Sequence, residues 1–302
     1  MKGNVDMATS SGCHLCPRSC GADRNAETGV CGADNTIRIA KVMPHFWEEP
    51  CVSGTRGSGA VFFSCCTLRC VYCQNRTISS GKFGIPVSQN RLAEIFSELR
   101  GMNVHNINLV SADQYAALIA PVLRKVRKNI DIPVVFNCSG YESKEMLDIL
   151  DGLVDVYLPD FKYSDSGTAA VYSDAPDYPG VALSAIGRML DSVGKPRFDS
   201  DGMLSKGVIV RHLVLPGHRK NSLGVIESLC SAFSLDDFIF SLMSQYTPNG
   251  DERAPSRRIT HFEYESVANK AISYGLKGYF QQFSSADASY TPEFDGRGVL
   301  KV

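Results

Sequence analysis

Val61-Phe-Phe-Ser-Cys-Cys-Thr-Leu-Arg-Cys-Val-Tyr-Cys73 is the stretch on which both the fold and the chemistry turn. Its first four residues, 61–64, are apolar and β-rich, which predicts a strand. The next nine place Cys66, Cys70 and Cys73 in the spacing C-x3-C-x2-C. A compact loop after a strand lets three thiolates converge on one cluster. Iron–sulfur clusters are held by cysteine thiolates, usually four. Three leave one iron open, and an open position separates a catalytic metal centre from a closed structural one. Two other readings stand beside this one: a structural zinc site with Cys65 as the fourth ligand, or unrelated buried thiols. Neighbouring ligands at Cys65 and Cys66 suit a tetrahedron poorly, so Cys65 is expected to be a packed neighbour.

Downstream the pattern alternates. Residues 90–100 carry Leu92, Ile95, Phe96 and Leu99 at helical spacing, 107–110 read as a strand, and 114–127 as a helix. Strands follow at 133–136 and 154–158, the latter running into Asp160, with a helix at 144–150 between them. Residues 169–190 are mainly helical with a break near 177–180. Strands at 207–215, 238–243 and 278–283 alternate with helices at 222–233 and 263–274. These are six β/α units in series. Their strands are continuously apolar, which implies burial on both faces and a parallel sheet with helices outside. Six units are too few for a closed eightfold barrel. The expected fold is α/β: a partial (βα)6 open barrel of parallel strands with a small N-terminal Cys-rich extension, a doubly wound sheet being the alternative. In either case chemistry belongs at the C-terminal ends of the strands. Residues 54–59, Gly-Thr-Arg-Gly-Ser-Gly, lack the Lys-Ser/Thr ending of a phosphate loop and precede a strand, so they read as a tight turn.

Upstream, residues 1–50 are rich in Cys, Gly and polar residues without sustained periodicity. They read as a metal-binding extension, with 51–302 as the barrel. Cys13, Cys16, Cys20 and Cys31 follow C-x2-C-x3-C-x10-C, a complete four-thiolate set. Zinc is the simplest occupant; a second iron–sulfur cluster relaying electrons is the alternative. Eleven cysteines is a high count, and in a reducing cytosol clustered cysteines bind metal more often than they pair. A net charge of -1 gives no field for nucleic acid. The polar first dozen residues lack the apolar core of a secretion signal, and no apolar run is long enough for a bilayer, so a cytoplasmic location is expected.

The resemblance runs further than the triplet. The motif and its strand context resemble the radical S-adenosylmethionine (SAM) superfamily. Glu48-Glu-Pro50, Gly57-Ser-Gly59, Phe62-Phe-Ser64, Tyr72-Cys-Gln-Asn75, Tyr157-Leu-Pro-Asp-Phe-Lys162, Arg211-His-Leu-Val-Leu-Pro-Gly217 and Gln245-Tyr246 are similar to pyruvate formate-lyase activating enzyme-like iron–sulfur proteins. The likeness spans the chain from about Cys13 to near Phe294. It implies a [4Fe-4S] cluster on Cys66, Cys70 and Cys73 whose open iron binds SAM. Reductive cleavage then yields a 5′-deoxyadenosyl radical that abstracts hydrogen from a substrate.

The resemblance also implies cofactor contacts. Tyr72 takes the place of an aromatic near adenine, with packing as the other role, and Asn75 supports the cluster loop. The Gly-Gly-Glu segment of such enzymes is replaced by Val110-Ser-Ala-Asp-Gln114. Ser111 and Asp113 there offer oxygen acceptors for an ammonium, or Asp113 caps the following helix. Asn137 and Ser139 share one face after the third strand, and Asp160 and Lys162 after the fourth. The second pair holds the cofactor or forms a mutual ion pair. Arg211 interrupts an apolar strand and must meet an anion, for which the SAM carboxylate is the candidate. His212 faces away and is structural, and Gln245 ends the sixth strand. The implied partners are a protein or peptide substrate and flavodoxin or ferredoxin as electron donor, with neither nucleic acid nor membrane. The chain is expected to be an oxidoreductase akin to glycyl-radical-enzyme activators. The alternative is a non-catalytic iron–sulfur or zinc protein that binds a partner or senses redox state.

Overall fold

A computed structural model describes residues 12–283 and 291–301. The polar N-terminal residues 1–11, on which the expectation of no secretion signal rests, lie outside the described residues. The strands are β1 (Arg38–His45), β2 (Ser58–Phe63), β3 (Ile85–Pro86), β4 (Ile107–Val110), β5 (Val134–Cys138), β6 (Val156–Pro159), β7 (Arg197–Phe198), β8 (Leu204–Leu213), β9 (Ile239–Met243) and β10 (Gly278–Phe280). The helices are α1 (Pro50–Ser53), α2 (Arg76–Ser79), α3 (Gln89–Gly101), α4 (Ala116–Val126), α5 (Lys144–Leu150), α6 (Ser166–Ser173), α7 (Tyr178–Val193), α8 (Arg219–Ala232) and α9 (His261–Ser273).

Seven strands, β2, β4, β5, β6, β8, β9 and β10, lie side by side in that order and all run parallel. A doubly wound sheet reverses its strand order at a switch point. This one never reverses. Right-handed crossovers taken always in the same direction put the helices on one face, so the other face turns inward as the wall of an open, partial barrel.

The main departure from the sequence reading is β1. It pairs antiparallel with β2 from Ile39 to His45, inside the stretch expected to be a loop-rich extension. Lys41, Pro44 and His45 interrupt its apolar pattern, and so it is hard to see from residues alone. The strand covers an edge of β2 that would otherwise expose unpaired backbone groups. The sheet thus begins at Arg38, ahead of the boundary expected at residue 50. Residues 12–37 contain neither strand nor helix.

Three apolar layers follow. The largest fills the space between sheet and helices; Leu92, Ile95, Phe96 and Leu99 of α3 are fully buried in it, as their spacing requires. A second lies among β1, β2 and β4, where Ala40, Ala60, Phe62 and Val110 meet. The third closes the lower end of the barrel. There α1, opened by Pro50, inserts Cys51 and Val52 against Val135, Val156, Leu158, Leu204 and Ile209. Above that plug the inward side chains become polar, and above them sits the cysteine loop.

Candidate cluster and cofactor site

β2 ends at Phe63, and the loop that follows is shaped by two non-glycine residues in the left-handed region, Cys65 (φ 74°) and Arg69 (φ 57°). Backbone hydrogen bonds hold its path: Cys65 N–H donates to Ile78 O at 2.8 Å and Val71 N–H to Tyr172 O at 2.9 Å. Cys66, Cys70 and Cys73 all line one cavity at the C-terminal ends of the parallel strands. Cys65 does not. Its thiol accepts the Tyr115 hydroxyl at 3.7 Å and lies against Gly81, where a Cβ would stand 3.2 Å from the sulfur. It is a packed neighbour.

The spacing of the sulfurs bears on the metal. Zinc bonds of about 2.3 Å hold tetrahedral sulfurs roughly 3.8 Å apart, whereas a cubane gives each cysteine its own iron at a separate corner. Among the described residues, the group of three donors whose ligand atoms all lie within 4.8 Å of one another is Asp113, Cys138 and Glu142, not the triplet. Burial, and then the neighbouring thiols, push Cys66 up; burial and Cys70 do the same to Cys73. Without a cation these groups stay protonated, and binding a metal releases the protons.

Beneath the loop lies a polar layer built around Arg211. Its Nε donates to Asp160 at 3.0 Å, one terminal nitrogen to Glu48 at 3.2 Å and the other to Asn137 Oδ1 at 2.6 Å. Lys162 Nζ pairs with the other oxygen of Asp160. Glu48 also accepts from Asn108 at 3.0 Å and from Asn137 at 3.1 Å. Burial would raise Asp160, but Arg211 and Lys162 outweigh it and hold the carboxyl below its ordinary range. Glu49 is raised, chiefly by burial, and one of its oxygens has no partner. His212 is fully buried, its Nδ1–H donating to Phe161 O at 2.7 Å, and burial lowers it to about 4.

Of the residues singled out from sequence, Tyr72, Asn75, Ser111, Asn137, Ser139, Asp160, Lys162, Arg211 and Gln245 all line the same cavity as the triplet. Asp113 does not, which corrects its assignment to the cofactor. Ser111 takes a left-handed φ of 56° where the expected motif has glycine, and the chain then enters a 3₁₀ turn, Asp113–Tyr115. That turn buries the Asp113 carboxyl beside Glu142 and Cys138. Asp113 is not the side-chain cap of α4 either. Tyr72 lines the cavity and also packs, the second of the two roles expected for it. It is 6% exposed and held edge-on by Tyr163, Tyr172 and Tyr246 at 5.8–6.4 Å, a packed position that accounts for the ring without a ligand. Cys13, Cys16, Cys20 and Cys31 lie outside the cavity.

Sequence reasoning named Glu48 only as part of a resemblance and passed over Asn108, Glu142 and Trp47. The signal for Glu48 was available. Two successive acids directly before a Pro-initiated helix need buried partners, and Arg211 is the cation that supplies them.

Residues 52–167 match the family model of a 4Fe-4S single cluster domain. That span holds the triplet and the strands that carry Asn137, Asp160 and Lys162. The match is to 4Fe-4S cluster domains, and the three thiols that line the cavity fit it as cluster ligands. Over 276 residues the chain is 29% identical to the uncharacterized protein MJ0674 of Methanocaldococcus jannaschii, covering 87% of this chain and 75% of that one. Among solved structures it is similar to a domain of pyruvate-formate lyase-activating enzyme from Bacteroides vulgatus, with TM-score 0.42, 17% identity, and 56% of this chain and 92% of that one covered. SuiB of Streptococcus suis bound to S-adenosylmethionine gives 0.43 and 11%, covering 69% and 42%. The FeFe-hydrogenase maturase HydG of Carboxydothermus hydrogenoformans gives 0.48 and 12%, covering 76% and 59%. Among the described residues no helix is long and apolar enough to cross a membrane.

The donors present fit a [4Fe-4S] cluster and also the S-adenosylmethionine that the sequence resemblance implies. Three thiols face the cavity, and the buried Asn75 Oδ1 beside them has no partner. S-adenosylmethionine carries an ammonium, a carboxylate and a sulfonium, and the polar layer offers carboxylates and cations at one level.

Proposed function

We propose that this protein is a radical SAM oxidoreductase in which Cys66, Cys70 and Cys73 hold the cluster and the Arg211 layer holds the amino-acid end of the cofactor. The observation that carries this reading is the shared cavity: three thiols and a mixed-charge layer line it, while the fourth adjacent thiol, Cys65, is turned away. When bound, the cluster and S-adenosylmethionine supply a 5′-deoxyadenosyl radical. Arg211 and Lys162 provide cations for a carboxylate, and Glu48 and Asp160 provide acceptors for an ammonium. Lys162 also stands close enough to Cys70 and Cys73 to offset the charge of their thiolates. Phe62, Val110 and Leu213 line the wall and exclude water from it.

The substrate class belongs to the same proposal: a protein or peptide backbone, as for activators of glycyl radical enzymes, with flavodoxin or ferredoxin as reductant in the cytoplasm. Its support is the sequence resemblance. Anaerobic incubation of the reconstituted protein with S-adenosylmethionine and dithionite tests the first part. Release of 5′-deoxyadenosine is expected. Its absence from a fully loaded, reduced sample would establish the non-catalytic alternative. An organic radical signal in an added glycyl radical enzyme tests the substrate.

A further inference from the structure

Residues 12–37 form a unit pinned directly onto the loop that carries the catalytic cluster. Cys66 N–H donates to the carbonyl of Cys31 at 3.3 Å, which joins a ligand of one cysteine group to a ligand of the other through one hydrogen bond. Arg69, inside the C-x3-C-x2-C motif, donates to Val30 O at 2.7 Å. Arg18, between Cys16 and Cys20, donates to Thr67 O at 3.1 Å, Leu68 O at 3.1 Å and Ser173 O at 2.6 Å, and its guanidinium lies over the Tyr141 ring.

The four thiols of this unit stand on one folded-back segment: Cys13 N–H donates to Ala22 O and Gly21 N–H to Cys13 O, both at 3.0 Å. Gly29 closes over them, and a Cβ there would sit 3.3 Å from Cys20 Sγ and 3.5 Å from Cys31 Sγ, so the absence of a side chain leaves a cradle. Yet among the described residues no three of these sulfurs gather within 4.8 Å of one another. A single tetrahedral zinc needs roughly 3.8 Å. Four converging thiols set wider than that match a cubane, where each binds a separate iron. Cys13, Cys16 and Cys20 are partly exposed, as the triplet is, but the triplet lines the cavity at the strand ends and this group lies outside it, which makes it the outer of the two.

We infer that Cys13, Cys16, Cys20 and Cys31 hold a second four-iron cluster that passes electrons to the catalytic one across the Cys31–Cys66 hydrogen bond. A reduced low-potential one-electron carrier protein gives one electron to the outer cluster. The outer cluster is reoxidised as that electron moves inward and reduces the catalytic cluster. No bond breaks, and no proton moves. The electron-delivery part rests on the radical SAM reading; the identity of the outer metal does not.

The test uses three full-length anaerobic samples reconstituted with iron and sulfide: the natural sequence, a Cys66→Ala/Cys70→Ala/Cys73→Ala variant, and a Cys13→Ala/Cys16→Ala/Cys20→Ala/Cys31→Ala variant. About eight irons and eight acid-labile sulfides per chain are expected in the first, and about four of each in either variant. After dithionite reduction the electron paramagnetic resonance spectrum of the natural sequence should be broadened by coupling between two paramagnets, and each variant should show one uncoupled signal. Zinc without sulfide in the Cys66/Cys70/Cys73 variant overturns the cluster. Two clusters with simply additive spectra overturn the relay. Neither result bears on 5′-deoxyadenosine release by the quartet variant with dithionite, which tests the catalytic reading separately.

Discussion

The two cysteine groups touch, yet the chain builds them in opposite ways. Cys66, Cys70 and Cys73 hang from the end of β2, a fully buried strand with partners on both sides, and α2 closes their loop. Cys13, Cys16, Cys20 and Cys31 stand in residues 12–37, which carry no strand or helix and are tied down by arginines reaching for carbonyls. The first group takes its shape from the paired strands that hold its loop. The second has little apolar core of its own and must draw its order from the metal and from docking. A three-thiol site on a rigid frame can leave a position open for a cofactor, whereas a four-thiol site on a loop is closed by its own contents.

Several substitutions would break or sharpen that contrast. The largest effect belongs to Cys66→Ala/Cys70→Ala/Cys73→Ala. Release of 5′-deoxyadenosine should fall to background, and circular dichroism should still report the native helix and strand content. Loss of the fold would instead show that the triplet, too, needs its metal for shape.

Arg211→Met comes next. It leaves Asp160 and Glu48 buried beside one another's charge with only Lys162 to offset them, at a cost of about 3–5 kcal/mol. A urea midpoint measured anaerobically should drop accordingly, and equilibrium dialysis should show S-adenosylmethionine affinity reduced at least tenfold. An unchanged midpoint would mean that the layer is not the fixed frame described above.

Arg18→Ala removes no ligand but releases the strap between the groups. Charged hydrogen bonds of this kind contribute about 2 kcal/mol each. Hydrogen exchange should quicken across residues 12–37 and the 66–73 loop while the β4–β6 amides keep their protection. Equal rates in both proteins would refute the strap.

The smallest effect concerns Cys138, a thiol in neither group. It shares a buried pocket with Asp113 and Glu142, whose Oε1 accepts Ser139 N–H and Oγ at 3.1 Å. Burial and then Asp113 raise Glu142 well above an ordinary carboxylate, so the folded protein keeps its proton. A raised folded value makes this contribution fully present at pH below the unfolded value. It is lost as pH climbs from there to the folded one, at about 1.4 kcal/mol per pH unit per proton. Stability should therefore decline with rising pH above about pH 4.5, and Glu142→Gln, which has no proton to lose, should flatten that slope. Parallel pH profiles for the two proteins would show that the pair shares no proton.

Legibility from sequence followed the physics of each segment. The barrel strands could be read because burial on both faces writes itself as unbroken apolar runs such as Ile107–Val110 and Val156–Pro159. β1 could not, because Lys41 and His45 find buried polar surroundings that only the fold supplies. Nine of the ten residues expected to contact the cofactor face the cavity because polar side chains at the ends of such strands have one place to go. Asp113 failed because left-handed backbone at Ser111 and a 3₁₀ turn redirect it, and neither leaves a mark in residue type. Which of the two roles Tyr72 takes was not legible, because the three tyrosines that pack on it lie 91 or more residues away in sequence. The polarity of Arg211 was legible, but its three-way hold on Asp160, Glu48 and Asn137 joins four distant segments and becomes visible only in three dimensions.

The plug that α1 drives into the lower end of the barrel has a consequence for traffic. With Cys51 and Val52 stoppering that end, approach from below is closed among the described residues, and the cavity lies at the opposite end beside the cysteine loop. A substrate entering there would settle over a cofactor already bound, so the shape of the vessel favours one order of binding.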